Sequence, residues 1–187
     1  MYFITGNAGK FREASAFIDG LQQLDIDLTE PQSLDPREVI EFKLLEARKH
    51  HTGGFIVEDR SLYLDGLNGF PGPLIKWMLK SVGQQGIYNL CRDIRNMRAH
   101  AKTVIGYSDA TGHIKYFEGD IGGDIVLPAG EYGFGWDQIF KPDGFEETFG
   151  EMGQEFKGKF SMRSLAFKQL REYLDGNILQ KLKNTLQ

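Results

Sequence analysis

Apolar and polar positions alternate with different periods along this chain, and each period predicts a different element. Tyr2 to Thr5 read as a short apolar strand. Over 8–19, Phe11, Ala14, Phe17 and Ile18 recur at helical spacing. A second strand over about 24–29 leads into LDPREVIEFKLLEARKHH. There Asp35 as N-cap, Pro36 in the first turn and Glu38 as a capping-box acid open a helix whose core stripe is Ile40, Leu44 and Ala47. GGFIVED reads as a buried strand that stops at two carboxylates, Glu58 and Asp59.

The passage DGLNGFPGPLIKWMLKSVG is rich in turn residues, with Pro73 set to begin a helix. From 101 to 127 the period falls to two, which predicts a β-meander. GFGWDQIFKPDG is irregular and aromatic, and a last helix from Ser161 to about Leu174 is built on Leu165, Ala166, Leu170 and Leu174. No repeat or linker interrupts residues 1–187, so one domain is expected: α/β or α+β, a mixed sheet covered by helices.

Composition narrows the class. At 187 residues the chain is long enough to bury a sizeable core, and 41% hydrophobic with 26% charged residues is ordinary globular usage. No apolar run approaches the ~18 residues of a membrane span. A single cysteine, Cys91, leaves no disulfide framework and no cysteine-based zinc site. A cytoplasmic protein is the expectation, without a membrane partner. The net charge of −4 disfavours broad nucleic-acid binding, so an anionic substrate would need locally placed lysines.

Three places carry candidate chemistry. TGNAGK, between a strand and a helix, offers backbone N–H groups at the positive end of a helix, with Lys10 adding a charge. It is not a Walker A loop: Gly6 and Gly9 are too close, and Phe11 stands where a hydroxyl belongs. A plain strand–helix connection capped by Asn7 is the alternative. Glu58 and Asp59 could hold Mg²⁺ and activate a water, or simply be solvated. In FGWD, Phe134 or Trp136 could stack on a base while Asp137 accepts from its ring N–H groups; a core aromatic is the plainer reading.

Taken in order, TGNAGK, VED, GFPGPLIKW, GFGWDQIFKPDG, TFGEM and SMR resemble the inosine triphosphate pyrophosphatase family, over nearly the whole chain. The resemblance implies hydrolysis of ITP, dITP and XTP to the monophosphate and pyrophosphate. It also implies Mg²⁺ as cofactor, an elongated two-lobed fold with the nucleotide in a central cleft, and a homodimer. By the same resemblance Thr5, Gly6, Asn7 and Lys10 form the phosphate loop, and Lys43, Lys76 and Lys157 contact substrate. Glu38 and Asp59 bind the metal, and Asp59 activates water with Glu58 in support. Phe134, Gly135, Trp136 and Asp137 hold the base, and Arg163 reads its 6-oxo edge. Alternatives in view are a related pyrophosphatase of other or broader base specificity and a non-catalytic nucleotide-binding regulator.

Two departures stand out. The family follows Glu-Asp with Ser or Thr and then Gly, where this chain has Arg60 and Ser61. An arginine there could lower the pKa of its acidic neighbour or point to solvent. The family's Ser-His-Arg is here Ser161–Met162–Arg163, and if the histidine side chain touches the base, Met162 lacks that hydrogen bond. Weaker discrimination against ATP is then expected.

Overall fold

The computed structural model describes residues 1–26 and 28–185. In chain order its elements are β1 (Tyr2–Ile4), α1 (Ala8–Ser15), β2 (Gln22–Leu24), α2 (Pro36–His50), β3 (Phe55–Leu64) and the two-residue β4 (Pro71–Gly72). Then follow α3 (Ile75–Asp93), β5 (Arg98–Ser108), β6 (Ile114–Ile125), β7 (Phe140–Pro142), α4 (Gln154–Lys157) and α5 (Met162–Thr185). The strands form one mixed seven-stranded sheet in the order β2-β1-β3-β5-β6-β7, with β4 paired to β3. β1 is parallel to β2 and β3, and the β3–β5–β6–β7 ladder is antiparallel. The expected α/β class and the period-two passage are both realised.

β3 is longer than its sequence suggests. The strand does not stop at Glu58 and Asp59 but pairs with β5 from Phe55↔Ser108 to Leu64↔Ala99. Because successive side chains of a strand face opposite sides, the two acids diverge. Phe55 and Val57 pack with Ile40, Leu44 and Ala47 of α2 on one face. On the other, Ile56 joins Ala14, Ala166, Phe167 and Leu170 of α1 and α5. Further along that second face, Leu62 and Leu64 join Ile75, Ile87, Phe140 and Phe149. Glu58 and Arg60 fall on this face, where the two apolar clusters meet.

Local chemistry corrects three other boundaries. Asp35 does cap α2, accepting from the Arg37 N–H at 2.8 Å, but the reciprocal capping-box bond is absent. Ser33 Oγ takes the Asp35 N–H instead and donates to Glu38 at 2.5 Å. The strand predicted over 24–29 is Gln22–Leu24, and the predicted span includes Asp27, which lies outside the described residues. The helix expected at Pro73 begins at Ile75, because Pro71 and Gly72 pair with Tyr63 and Leu62 first. It breaks at Gly83, whose φ of 67° a side chain would resist. α5 crosses β6 closely: a Cβ on Gly119 would stand 1.9 Å from the Met162 carbonyl oxygen.

Candidate active site

At the carboxyl end of β1 the chain turns into α1 around Asn7. Its side chain accepts from the Lys10 N–H at 3.0 Å, and its own N–H donates to Thr5 Oγ1 at 3.1 Å. This cap orients the first turn of α1, whose amides form the positive end of the helix dipole. The loop borders a cleft of about 900 Å³. Thr5, Gly6, Asn7, Lys10, Lys43, Glu58, Asp59, Lys76, Phe134, Gly135 and Trp136, all singled out in the sequence, line it. Glu38, Asp137, Lys157, Met162 and Arg163 do not.

The two strand acids have different surroundings. Glu58 is buried, and both its oxygens are taken: Arg163 donates to them from Nε at 2.9 Å and Nη2 at 3.0 Å, and Lys10 Nζ lies 2.8 Å away. Burial alone would push its carboxyl up, but Arg163 and Lys10 outweigh that and hold it well below the ordinary range. Glu58 therefore stays ionised and positions cations. Asp59, on the opposite face, accepts from Ser61 Oγ at 2.6 Å and from no other side chain among the described residues. Burial raises its pKa, and the Glu30 carboxylate adds to the rise against the hydrogen bond from Ser61 and the charge of Lys43. A carboxylate with raised basicity and a free lone pair can accept a proton from water.

Lysines converge from three elements. Lys10 comes from α1, Lys43 from α2 and Lys76 from α3. Lys43 Nζ donates to the Glu58 carbonyl at 3.0 Å and to Glu30 at 2.8 Å. Lys80, one helical turn after Lys76, adds a fourth lysine to the wall.

The residues expected to hold the base are arranged differently. Asp137 is fully buried, and its carboxylate accepts from Arg60, from Lys157 at 2.7 Å and from the Phe134 N–H at 2.8 Å. Burial pushes the Lys157 ammonium down to about 8, with Arg60 adding and Asp137 opposing. Arg163 spans Glu58 and, at 2.6 Å, Glu13, with 3% of its side chain exposed. Met162 is a core residue packed in the cluster of Phe149 and Ile139 and does not border the cleft. Arg60 neither approaches Asp59 nor points to solvent, because a neighbour on a strand faces the other way. It pairs with Asp137 and stacks on Trp136, its guanidinium carbon 4.0 Å from the ring centroid.

Sequence reasoning missed Glu13 and Glu30, and it noticed Arg60 without placing it in the cleft wall. Glu13 lies one helical turn beyond Lys10, and strict alternation along FIVEDRSLYL puts Arg60 on the face of Glu58; either pattern was readable. Glu30 lies in an irregular stretch with no periodic signal.

Metal fit follows from the donors. Among the described residues no three His, Cys, Asp or Glu side chains are grouped as a metal cage. Mg²⁺ seldom needs one, since it takes one or two carboxylates and completes its shell with water and substrate phosphates. Asp59 and Glu30 line the same cleft and repel one another, which a divalent cation would relieve. Glu38, exposed at the start of α2, reaches the cleft wall only through Ser33. The oxygen donors thus suit Mg²⁺ held jointly with a phosphate ligand.

The fold and site define a mixed-sheet α/β protein with a cleft lined by both lysines and carboxylates. The chain belongs to the Ham1 family, whose model matches residues 1–173. It is 41% identical over 183 residues to the inosine triphosphate pyrophosphatase of Kluyveromyces lactis, covering 92% of this chain and 94% of the relative. A dITP/XTP pyrophosphatase of Thermococcus kodakarensis is 36% identical over 181 residues, covering 94% and 97%. The Staphylococcus aureus Ham1 protein superposes with a TM-score of 0.78 at 26% identity, over 95% of this chain and 100% of that one.

Proposed function

We propose that this protein hydrolyses ITP, dITP and XTP to the nucleoside monophosphate and pyrophosphate. The observation that carries the reading is the convergence of Lys10, Lys43 and Lys76, from three separate helices, on a cleft that also holds Asp59. The names borne by the relatives, inosine triphosphate pyrophosphatase and dITP/XTP pyrophosphatase, supply the substrate class.

The reaction breaks the bond between the α- and β-phosphates, adding the elements of water across it. The first turn of α1 and the lysines bind the triphosphate and offset the charge that builds on the leaving pyrophosphate. Asp59 accepts the proton of the attacking water, and Ser61 fixes the carboxylate's orientation. Glu58 holds Lys10 and Arg163 in place. Mg²⁺, with Asp59 as ligand and Glu30 and Glu38 as the other carboxylates available to it, would neutralise phosphate charge. Phe134 offers a stacking face for the base. A homodimer, the expectation carried by the resemblance, and a place in the cytoplasm beside the nucleotide pool complete the reading. Among the described residues no helix is long and apolar enough to cross a membrane.

Asp59→Asn tests the assignment. Its kcat for pyrophosphate release from ITP should fall by ~10²–10⁴, while a slowly hydrolysed analogue binds within about tenfold of wild type. Retention of more than about a tenth of kcat would remove Asp59 from the role.

A further inference from the structure

Arg60 occupies a position that the hydrolytic chemistry leaves unused. Its side chain is 6% exposed, yet it forms part of the cleft wall beside Phe134, Gly135 and Trp136. The guanidinium lies 4.0 Å from the Trp136 ring and 4.7 Å from the Phe134 ring. Of its five N–H groups, one meets Asp137 and another reaches the Phe134 carbonyl at 3.5 Å. Nε is buried with no hydrogen-bond partner among the described residues. The N–H groups that Arg60 keeps for a cleft ligand are therefore the second ones on Nη1 and Nη2.

Asp137 cannot read a base in this arrangement. Its oxygens are taken by Arg60, Lys157 and the Phe134 N–H, and it lies outside the cleft wall. Arg163 spends three of its five N–H groups on Glu58 and Glu13 and lies outside the cleft wall. The polar group left at the aromatic end of the cleft is donor-only.

We infer that Arg60 is a specificity-determining residue for the base: the remaining Nη N–H groups of its guanidinium, stacked on Trp136 and held by Asp137, donate to the carbonyl edge of a 6-oxopurine lying against Phe134. The inference rests on the reading of this cleft as a purine nucleotide site. A 6-oxopurine presents O6 and N7 as adjacent acceptors, whereas a 6-aminopurine presents one acceptor and one donor. An arginine, which has donors only, satisfies the first pair and meets the amino group donor to donor. Guanine shares the O6/N7 edge, so Arg60 separates oxo from amino purines and does not separate inosine from guanosine nucleotides.

The test is equilibrium binding of inosine and adenosine monophosphates to the wild-type protein, Arg60→Lys and Arg60→Gln. Lysine keeps the charge beside Asp137 but lacks the planar fork, so the two variants separate fork from charge. Wild type should prefer the inosine nucleotide by about 10- to 100-fold, the worth of one charge-assisted hydrogen bond, and both variants should bring the ratio to within about threefold. Each ratio is taken within one preparation, so loss of folded protein cancels. An equal ratio in wild type and both variants, or no preference in wild type, would overturn the role of Arg60. Guanosine monophosphate should follow inosine monophosphate in its response to the substitutions; following adenosine monophosphate would overturn the assignment to O6/N7. Binding needs no turnover, so a failure of the hydrolysis reading would appear only in the pyrophosphate assay.

Discussion

Residue by residue, the site divides into groups free to meet a ligand and groups already committed to one another. Asp59, Lys76 and the first turn of α1 belong to the first kind. Glu58, Asp137, Lys157 and Arg163 belong to the second, each buried and paired. Met162 illustrates what the distinction means for substitution. Methionine at this position invites the expectation of a lost base contact, but the side chain is packed in the core and 1% exposed. Met162→His would therefore bury an imidazole among apolar neighbours. We expect a loss of roughly 1–3 kcal/mol of stability from the unmet polar group, with the ratio of kcat/KM for ITP over ATP unchanged. Calorimetric melting and a two-substrate comparison measure both; a raised ratio with full stability would show that the position does reach the base. The order of the motifs made the cleft residues readable in the sequence. Which of them spend their hydrogen bonds on each other was not readable, because those partners lie up to 150 residues apart, as Arg163 and Glu13 do.

At the scale of elements, β3 organises the molecule. Its alternation puts Phe55, Val57 and Asp59 toward α2, and Ile56, Glu58, Arg60 and Leu62 toward the opposite layer. The expectation that the strand ends at Glu58–Asp59 failed because the hydrophobic run ends there while the β5 ladder continues. Backbone pairing, invisible to side-chain periodicity, set the length. The helices were more legible: α2 and α5 carry their stripes where the 3.6-residue period put them, and Asp35 caps where expected. The Glu58–Arg163 pair joins β3 to α5 inside the fold, and breaking a buried pair commonly costs ~3–5 kcal/mol. Glu58→Gln should thus lower Tm at neutral pH by roughly 6–20 °C for a chain of this size. The folded carboxyl is held below its ordinary 4.5, so its stabilisation is fully present above that pH and is lost as pH falls toward the folded value. The gap in Tm between wild type and Glu58→Gln should narrow below about pH 4.5; a gap that widened with acid would contradict the sign.

Across the whole molecule, charge is distributed against the average. The chain carries a net charge of −4, yet five basic side chains line the cleft against three acidic ones. A local excess of positive charge in a recess with low-dielectric walls raises the concentration of anions there. The sheet makes this possible by bringing the β1–α1 turn, α2, β3, α3 and the 134–136 loop to one place, from segments that span most of the chain. The most direct test is the product balance when purified protein meets ITP with Mg²⁺, and again with excess EDTA. One pyrophosphate released per inosine monophosphate formed, no orthophosphate, and loss of turnover in EDTA is the predicted result. Orthophosphate as the product, or undiminished turnover in EDTA, would contradict it.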